Sequence, residues 1–304
     1  MSRPTVSTRP DLYARVTDKI IEDLERGVRT WTKPWSAHHA SGAVGRPLRH
    51  NLQRYAGINV VLLWSEAVTR GYTAPIWMTF RQALELGGHV RKGETGSLVV
   101  YANRFTRTET DDNGQDVERE IPFLKAYTVF NVEQIDNLPP HFNQPPSSPL
   151  DEQQRVNHAD AFFAASGADV RHGGDSAYYA IDPDYVQMPR FESFVDPESY
   201  YATLAHEMTH WTRHRTRLDR DLGRKRWGDE GYAREELVAE LGAAFLCADL
   251  GLELQPREDH AGYIASWLEV LKNDKRFIFS AAAHAQRAVD FLHARQPSAE
   301  ERAA

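Results

Sequence analysis

Apolar residues at Val16, Ile20, Ile21 and Leu24 recur three and four positions apart, so residues 12–27 are predicted to form an amphipathic helix that stops at Gly27. The same spacing predicts helices over 59–70 and 79–87. It gives way to alternation over 97–105. A second alternating run over 122–130 follows the turn residues Asp111-Asp112-Asn113-Gly114, which is the pattern of a β-hairpin. Beyond residue 150 helical spacing dominates. Helices are predicted over 156–166, from Asp196-Pro197 through Leu204, Met208 and Trp211, and through Leu237, Leu241, Phe245 and Ala248 up to Gly251. Two more follow over 259–272 and 277–294, and one strand is predicted over 177–181. The expected fold class is α+β, with a mixed N-terminal half and a mainly helical C-terminal half.

Five prolines stand between residues 138 and 149, a density that no helix or central strand tolerates, so this stretch reads as a semi-rigid linker. A chain of 304 residues divides accordingly into a domain over 1–138, a linker over 139–150 and a domain over 151–304. Cys247 is the single cysteine and sits in an apolar helical stripe. A disulfide framework is excluded, and an inert core thiol in a cytoplasmic protein is expected. No stretch nears the roughly 20 apolar residues that a spanning helix needs, and the N-terminus lacks a signal pattern, so no membrane partner is expected.

The helix that starts at Asp196 carries His206-Glu207-Met208-Thr209-His210. Histidines at i and i+4 share a helical face, with Cβ atoms roughly 5–6 Å apart, and both imidazoles can reach one tetrahedral ion. Glu207 then stands beside the ion, not on it, as a general base toward a water that the ion acidifies. The competing reading is two histidines on a surface helix. Chance occurrence of this pattern on a helical segment is rare, even with 13 histidines in the chain.

A third ligand must come from elsewhere. Glu236 and Glu240, four apart on the next helix, share a face that borders its apolar stripe, where a carboxylate must be paired or metal-bound. The arrangement resembles the gluzincin pattern, in which a glutamate on a downstream helix completes the site and an acid four residues later orients a ligand histidine. That resemblance implies Glu236 as ligand and Glu240 as its supporting partner, with Glu240 as ligand the alternative. Glu235 is expected to be solvated at the helix start. The segment 213–229, polar and rich in arginine, reads as a solvated loop between the two helices.

The chain as a whole carries a net charge of −7, unevenly spread. From Arg29 to Arg107 eleven basic residues stand against three acidic ones, a local charge of +8. Threaded through it are Trp31, Trp35, Tyr55, Trp64, Tyr72, Trp77, Phe80, Tyr101 and Phe105. Bases that track phosphates, interleaved with rings on which unpaired nucleobases stack, are what single-strand binding without sequence preference requires. Most of these rings are expected in the core. Trp31, Lys33, Trp35, Arg46, Arg49 and Tyr55 lie in loop-like sequence and are, with Arg91 and Lys92, the expected DNA contacts.

A longer ordered series runs along the N-terminal half: residues 13–27, Thr32-Lys33-Pro34-Trp35, Tyr55-Ala56-Gly57-Ile58-Asn59, residues 77–83, Val90-Arg91-Lys92-Gly93-Glu94 and residues 129–134. It resembles the N-terminal domain of the ArdC antirestriction family. Tyr178-Tyr179, the His206 to Trp211 motif and residues 232–246 and 263–275 resemble the zincin-like metallopeptidase domain of the same family, so the resemblance covers nearly the whole chain. It implies a protein of conjugative plasmids and other mobile elements, in which a single-stranded-DNA-binding domain joined to a peptidase-like domain protects incoming DNA from host restriction.

For chemistry, zinc is expected at His206, His210 and Glu236, a donor set that also accommodates manganese or cobalt. Tyr263, with His260 as the alternative, is the expected donor to a developing oxyanion. Tyr178 and Tyr179 are expected on an edge strand that aligns an extended peptide. Two classes of function follow. One is a protein that coats single strands and whose metal serves the fold; the other is an active metalloprotease that DNA brings to a protein substrate such as a restriction component. Duplex DNA is a further partner left open.

Overall fold

The computed structural model describes residues 11–26, 45–110, 115–142, 151–223, 229–252 and 260–297. Helix α1 (Leu12–Glu25) starts where the Asp11 side chain accepts from the Tyr13 amide, and it buries Val16, Ile20, Ile21 and Leu24, the residues that the spacing singles out. Helix α2 (Ile58–Arg70) stops at Gly71, whose φ of 72° is left-handed backbone that glycine enters at no steric cost. A capping box between Thr79 and Gln82 opens the short α3 (Phe80–Glu85).

Six strands accompany these helices: β1 (Leu48–Arg49), β2 (Ile76–Met78), β3 (His89–Val90), β4 (Ser97–Thr110), β5 (Asp116–Asn131) and β6 (Ile135–Asp136). Four form one sheet in the order β1-β2-β5-β4, and β3 pairs with β6. The hairpin is longer than its alternation suggests. β4 and β5 pair antiparallel through fourteen residue pairs, from Ser97 opposite Val129 to Thr110 opposite Asp116. Its base is buried at Val99, Val100 and Val129, whereas 101–104, 106–108 and 125–128 are exposed. The outer part of the hairpin therefore leaves the body as a two-stranded ribbon.

The second half opens with α4 (Glu152–Ala165), then β7 (Asp169–His172), β8 (Tyr178–Ala180) and β9 (Tyr185–Met188), ordered β7-β9-β8. β8 is the antiparallel edge strand, and it packs beside α5 (Pro197–Trp211). Helices α6 (Glu230–Leu250), α7 (His260–Asn273) and α8 (Phe277–Ala294) complete the chain. Seventeen of the 21 residues of α6 are buried, because alanine, glycine and leucine surround it on every side and make it the central helix. Among the described residues no helix is long and apolar enough to cross a membrane.

The fold is α+β with two domains, and the two halves share a core. One apolar cluster runs from Val16, Ile20 and Leu63 of the first half into Phe245, Leu246, Ile278 and Ala281 of the second. Trp64 meets Phe245 edge-on at 5.8 Å between ring centroids. The proline-rich segment does not begin as an extended spacer. Pro140–Phe142 form a 3₁₀ turn, and Phe142 is buried with Met78, Val132 and Ile135 of the N-terminal half. Residues 143–150 of the expected linker lie outside the described residues.

Candidate metal centre

Helix α5 begins at Asp196, whose carboxylate accepts from the Ser199 amide, with Pro197 in the first turn. Every residue from Tyr200 to Trp211 is buried, so the two histidines and Glu207 lie inside the protein, not on a surface helix. Helix α6, capped by Asp229 and closed by Gly251, packs against α5. Gly242 permits the approach. A Cβ built there would stand 2.5 Å from Cγ2 and Oγ1 of Thr209, so any larger residue would require the Thr209 side chain or the helices to shift.

Across this contact Nε2 of His206 lies 3.3 Å from Oε2 of Glu236, and Nε2 of His210 lies 3.5 Å from Oε1 of the same carboxylate. The two Nε2 atoms are 3.1 Å apart. Among the described residues these three side chains, all buried, are the group whose donor atoms converge as metal ligands, within 4.8 Å of one another.

A ring of carboxylates behind them fixes the imidazoles. Oε1 of Glu240 lies 3.1 Å from Nδ1 of His206, and Oε1 of Glu235 lies 3.1 Å from Nδ1 of His210. Glu235 is placed to accept the Nδ1 proton of His210 and turn its Nε2 toward the shared point, whereas Glu240 stands at ion-pair distance from Nδ1 of His206 without a hydrogen bond to it. Two imidazole nitrogens bound at about 2.0–2.1 Å to a tetrahedral ion stand roughly 3.3 Å apart, close to the spacing found here. The residues present therefore fit a divalent cation. Glu236 is the carboxylate that faces both Nε2 atoms, whereas Glu240 reaches only the outer nitrogen of His206.

The expectation that Glu235 is solvated is corrected. It is 1 % exposed and takes a two-pronged ion pair from Arg220, at 2.9 Å to Nε and 2.7 Å to a terminal nitrogen. Burial pushes its carboxyl up, and Arg220 and then His210 more than reverse this, holding it down at about 2. Arg220 in turn donates to the Thr209 carbonyl oxygen of α5. Over its described part the segment after α5 is thus solvated only in places, Arg215, Thr216, Asp219 and Asp221 among them, while Arg220 is buried. Arg217 also turns inward, over the Trp211 ring and onto Asp184 and Tyr179. The burial of α6 on all sides was the available sign that Glu235 could not face water.

Glu236 is held well below the usual carboxylate range, because His210 and His206 outweigh the opposing effect of burial. Glu207 is 4 % exposed, and its charge acts on His206. Tyr263 belongs to α7, as does His260, but their side chains lie outside what the structure describes. Tyr178 and Tyr179 lie on the edge strand β8.

The expected DNA contacts fare differently. Trp31, Lys33 and Trp35 lie outside the described residues. Arg46 and Tyr55, expected as exposed loop side chains, are 4 % and 8 % exposed. Arg46 pairs with Asp249 of α6, donates to Gln286 of α8 and lies over the Phe245 ring, so it joins the two halves. Arg49 stands over Tyr55. Arg91 is exposed but paired with Glu94 and Asp136, while Lys92 is exposed. Of the nine described bases in the +8 stretch, at least six carry carboxylate partners, some from outside it, so the local charge is smaller than the sequence count.

Comparison with known proteins agrees with this geometry. Residues 10–130 match the N-terminal domain of anti-restriction factor ArdC, and residues 157–284 match a zincin-like metallopeptidase domain. The y4eC protein of Sinorhizobium fredii (strain NBRC 101917 / NGR234), itself uncharacterised, is 44% identical over 97% of this chain and 96% of its own length. A DNA primase TraC of Escherichia coli is 37% identical over 92% of this chain, which spans only 27% of that protein. The crystal structure of the antirestriction ArdC protein from plasmid R388 in its metal-free form superposes with a TM-score of 0.78 at 47% identity, covering 94% of this chain and 98% of that one. Its Mn(II)-bound form gives 0.76 at 45% identity, over 95% and 99%. With a zincin-like domain built around a metal centre and similarity along nearly its whole length, the chain belongs to the ArdC antirestriction family.

Proposed function

We propose that this protein protects the DNA of a mobile element from host restriction by binding it as a single strand, and that its C-terminal half holds a zinc-dependent peptidase-type centre. The observation that carries the second part is the convergence of His206, His210 and Glu236 on one point with Glu207 buried beside them. Family membership supports the first part. The donor set of two nitrogens and a carboxylate suits zinc, and manganese, which the R388 relative holds in one crystal form, fits the same ligands.

When bound, a divalent ion supplies Lewis-acid polarisation of a peptide carbonyl and acidifies water. The residues of the chain do the rest. Glu207 accepts the proton of the attacking water and returns it to the leaving amine. Glu240 and Glu235 keep His206 and His210 oriented, and Arg220 keeps Glu235 ionised. The free edge of β8 pairs with an extended peptide and lays it along α5. Tyr263 is the proposed donor to the oxyanion.

The test compares plasmid transfer into a restricting recipient for the wild type and Glu207→Gln, after the variant is shown to fold, load metal and bind single-stranded DNA. Protection by DNA binding predicts that the variant protects as well as the wild type. Loss of protection would instead establish the second reading, a metalloprotease for which DNA is only the targeting device. The intact Glu207 favours that reading, since a purely structural metal needs no base at that position.

A further inference from the structure

The register of the projecting hairpin sorts its side chains by chemistry. Residues directly opposite each other on β4 and β5 share a face, so Tyr101 with Lys125 and Asn103 with Phe123 lie on the same side as Tyr127, Ile121 and Arg107. The other face carries Arg104, Thr106, Thr108, Asp116, Glu118 and Glu120. Among the described side chains of the outer ribbon, the first face therefore holds the rings Tyr101, Phe123 and Tyr127 together with Lys125 and Arg107. The second holds three acids, and its base, Arg104, is neutralised by Glu120 at 2.9 Å.

The rings form a contiguous group. Tyr101 lies 6.1 Å from Phe123 and 6.4 Å from Tyr127 between ring centroids. Both tyrosines remain almost half exposed, at 47 % and 45 %, although a tyrosine left in water gains nothing for the fold. Asn103 donates to the Tyr101 hydroxyl at 2.6 Å, and the Lys125 ammonium stands 5.2 Å from the Phe123 ring centre, so the cluster is preordered. In a chain of net charge −7, an exposed cationic and aromatic face backed by an acidic one is a directional surface.

We infer that this face of the β4–β5 ribbon is the single-stranded-DNA platform: nucleobases stack on Tyr101, Tyr127 and Phe123 while Lys125 tracks the phosphates. The inference rests on the DNA-binding reading above and gives that reading its surface. Exposed rings select an unpaired strand over duplex, because base pairs present no free ring face to stack on. The acidic back of the ribbon repels the same backbone and leaves one face for it. This placement also accounts for binding without Arg46 and Tyr55, which the fold uses elsewhere.

The experiment titrates a fluorescent oligo-dT 20-mer, and separately a duplex of the same length, with wild-type protein and with Tyr101→Ala/Tyr127→Ala, Lys125→Ala and Thr106→Ala/Thr108→Ala. These positions lie on the exposed ribbon, away from the core, and unchanged melting temperatures verify the fold. Removing each ring is expected to weaken single-strand binding about fivefold or more. Lys125→Ala should lower the slope of log K against log salt by about 0.7. The two threonine changes, on the opposite face, should leave affinity unaltered. Wild-type binding that survives the double tyrosine change would overturn this assignment while leaving the DNA-binding reading intact. Equal losses on duplex, or from the threonine variant, would also overturn it. A wild type that binds no single strand would refute both.

Discussion

Arg220 and Glu235 form a two-pronged ion pair with both side chains 1 % exposed, and Oε1 of that same carboxylate faces Nδ1 of His210 at 3.1 Å. A guanidinium from the segment after α5 therefore orients a metal ligand on α5 through an acid on α6. Removing one partner of a buried pair leaves the other charge uncompensated, which costs about 3–5 kcal/mol.

Arg220→Ala is accordingly expected to lower stability by about that amount and, because the support of a ligand histidine is lost, to weaken metal binding by roughly 10- to 100-fold. Competition against a calibrated chelator measures the second effect separately from melting. An Arg220→Ala protein with wild-type metal affinity would show that Glu235 orients nothing.

Gly242 governs the spacing of the same two helices. Gly242→Ala places a methyl group 2.5 Å from Thr209, and overpacking of this kind costs about 1–3 kcal/mol. Glu236 lies less than two turns away on α6, so separation of the helices should also loosen the metal site. Thr209→Ala in the Gly242→Ala background makes room and should restore both properties. Failure of that rescue would locate the strain elsewhere.

What the sequence revealed follows from how local each signal was. The ligands were legible because helical spacing alone puts His206 and His210 on one face, and the cap at Asp196 and the stop at Gly251 depend on single residues. Strands of two to four residues such as β1, β3, β7 and β9 leave no mark in the sequence, since so short a stretch carries no readable alternation. Glu235, Arg220, Arg46 and Tyr55 differ from expectation for another reason. Charge and loop character predict exposure, but Glu235, Arg220 and Arg46 are buried against partners distant in sequence and Tyr55 joins the shared apolar cluster, and such contacts are set by tertiary packing.

Asp249 is the clearest instance. It receives Arg46 and Arg54 from the first half, at 3.2 and 3.0 Å, and His293 of α8 at 3.1 Å. Burial raises its carboxyl, and the bond from His293 together with the charges of Arg46 and Arg54 outweighs this and depresses it below 3.8. A depressed carboxylate contributes stability that is fully present above its ordinary value and is lost as pH falls through the folded one. Asp249→Asn should thus destabilise the protein by about 3–5 kcal/mol at neutral pH, leaving Arg46 buried without its counter-charge. The difference from wild type should stay constant above about pH 5 and shrink below 3.8. Denaturant melts across that range measure it, and a difference that grows toward acid would contradict the role given to Asp249.

Metal loading should carry a proton signature of its own. Burial works against charge on His206, but Glu236 and Glu240 outweigh it and push the imidazole up to about 10. Without metal, this pairing stabilises the fold fully below about 6.5 and is lost as pH rises toward 10. A cation bound to Nε2 must displace the proton held there, so loading at pH 7 releases protons and affinity climbs with pH, by about tenfold per unit for each proton released. Calorimetric titration of zinc or manganese in buffers of different ionisation enthalpy gives the number of protons directly. His206→Ala should abolish both the binding and the release. Affinity that stays flat between pH 6 and 8, with no dependence on buffer, would mean that the ion does not bind at Nε2 of this histidine.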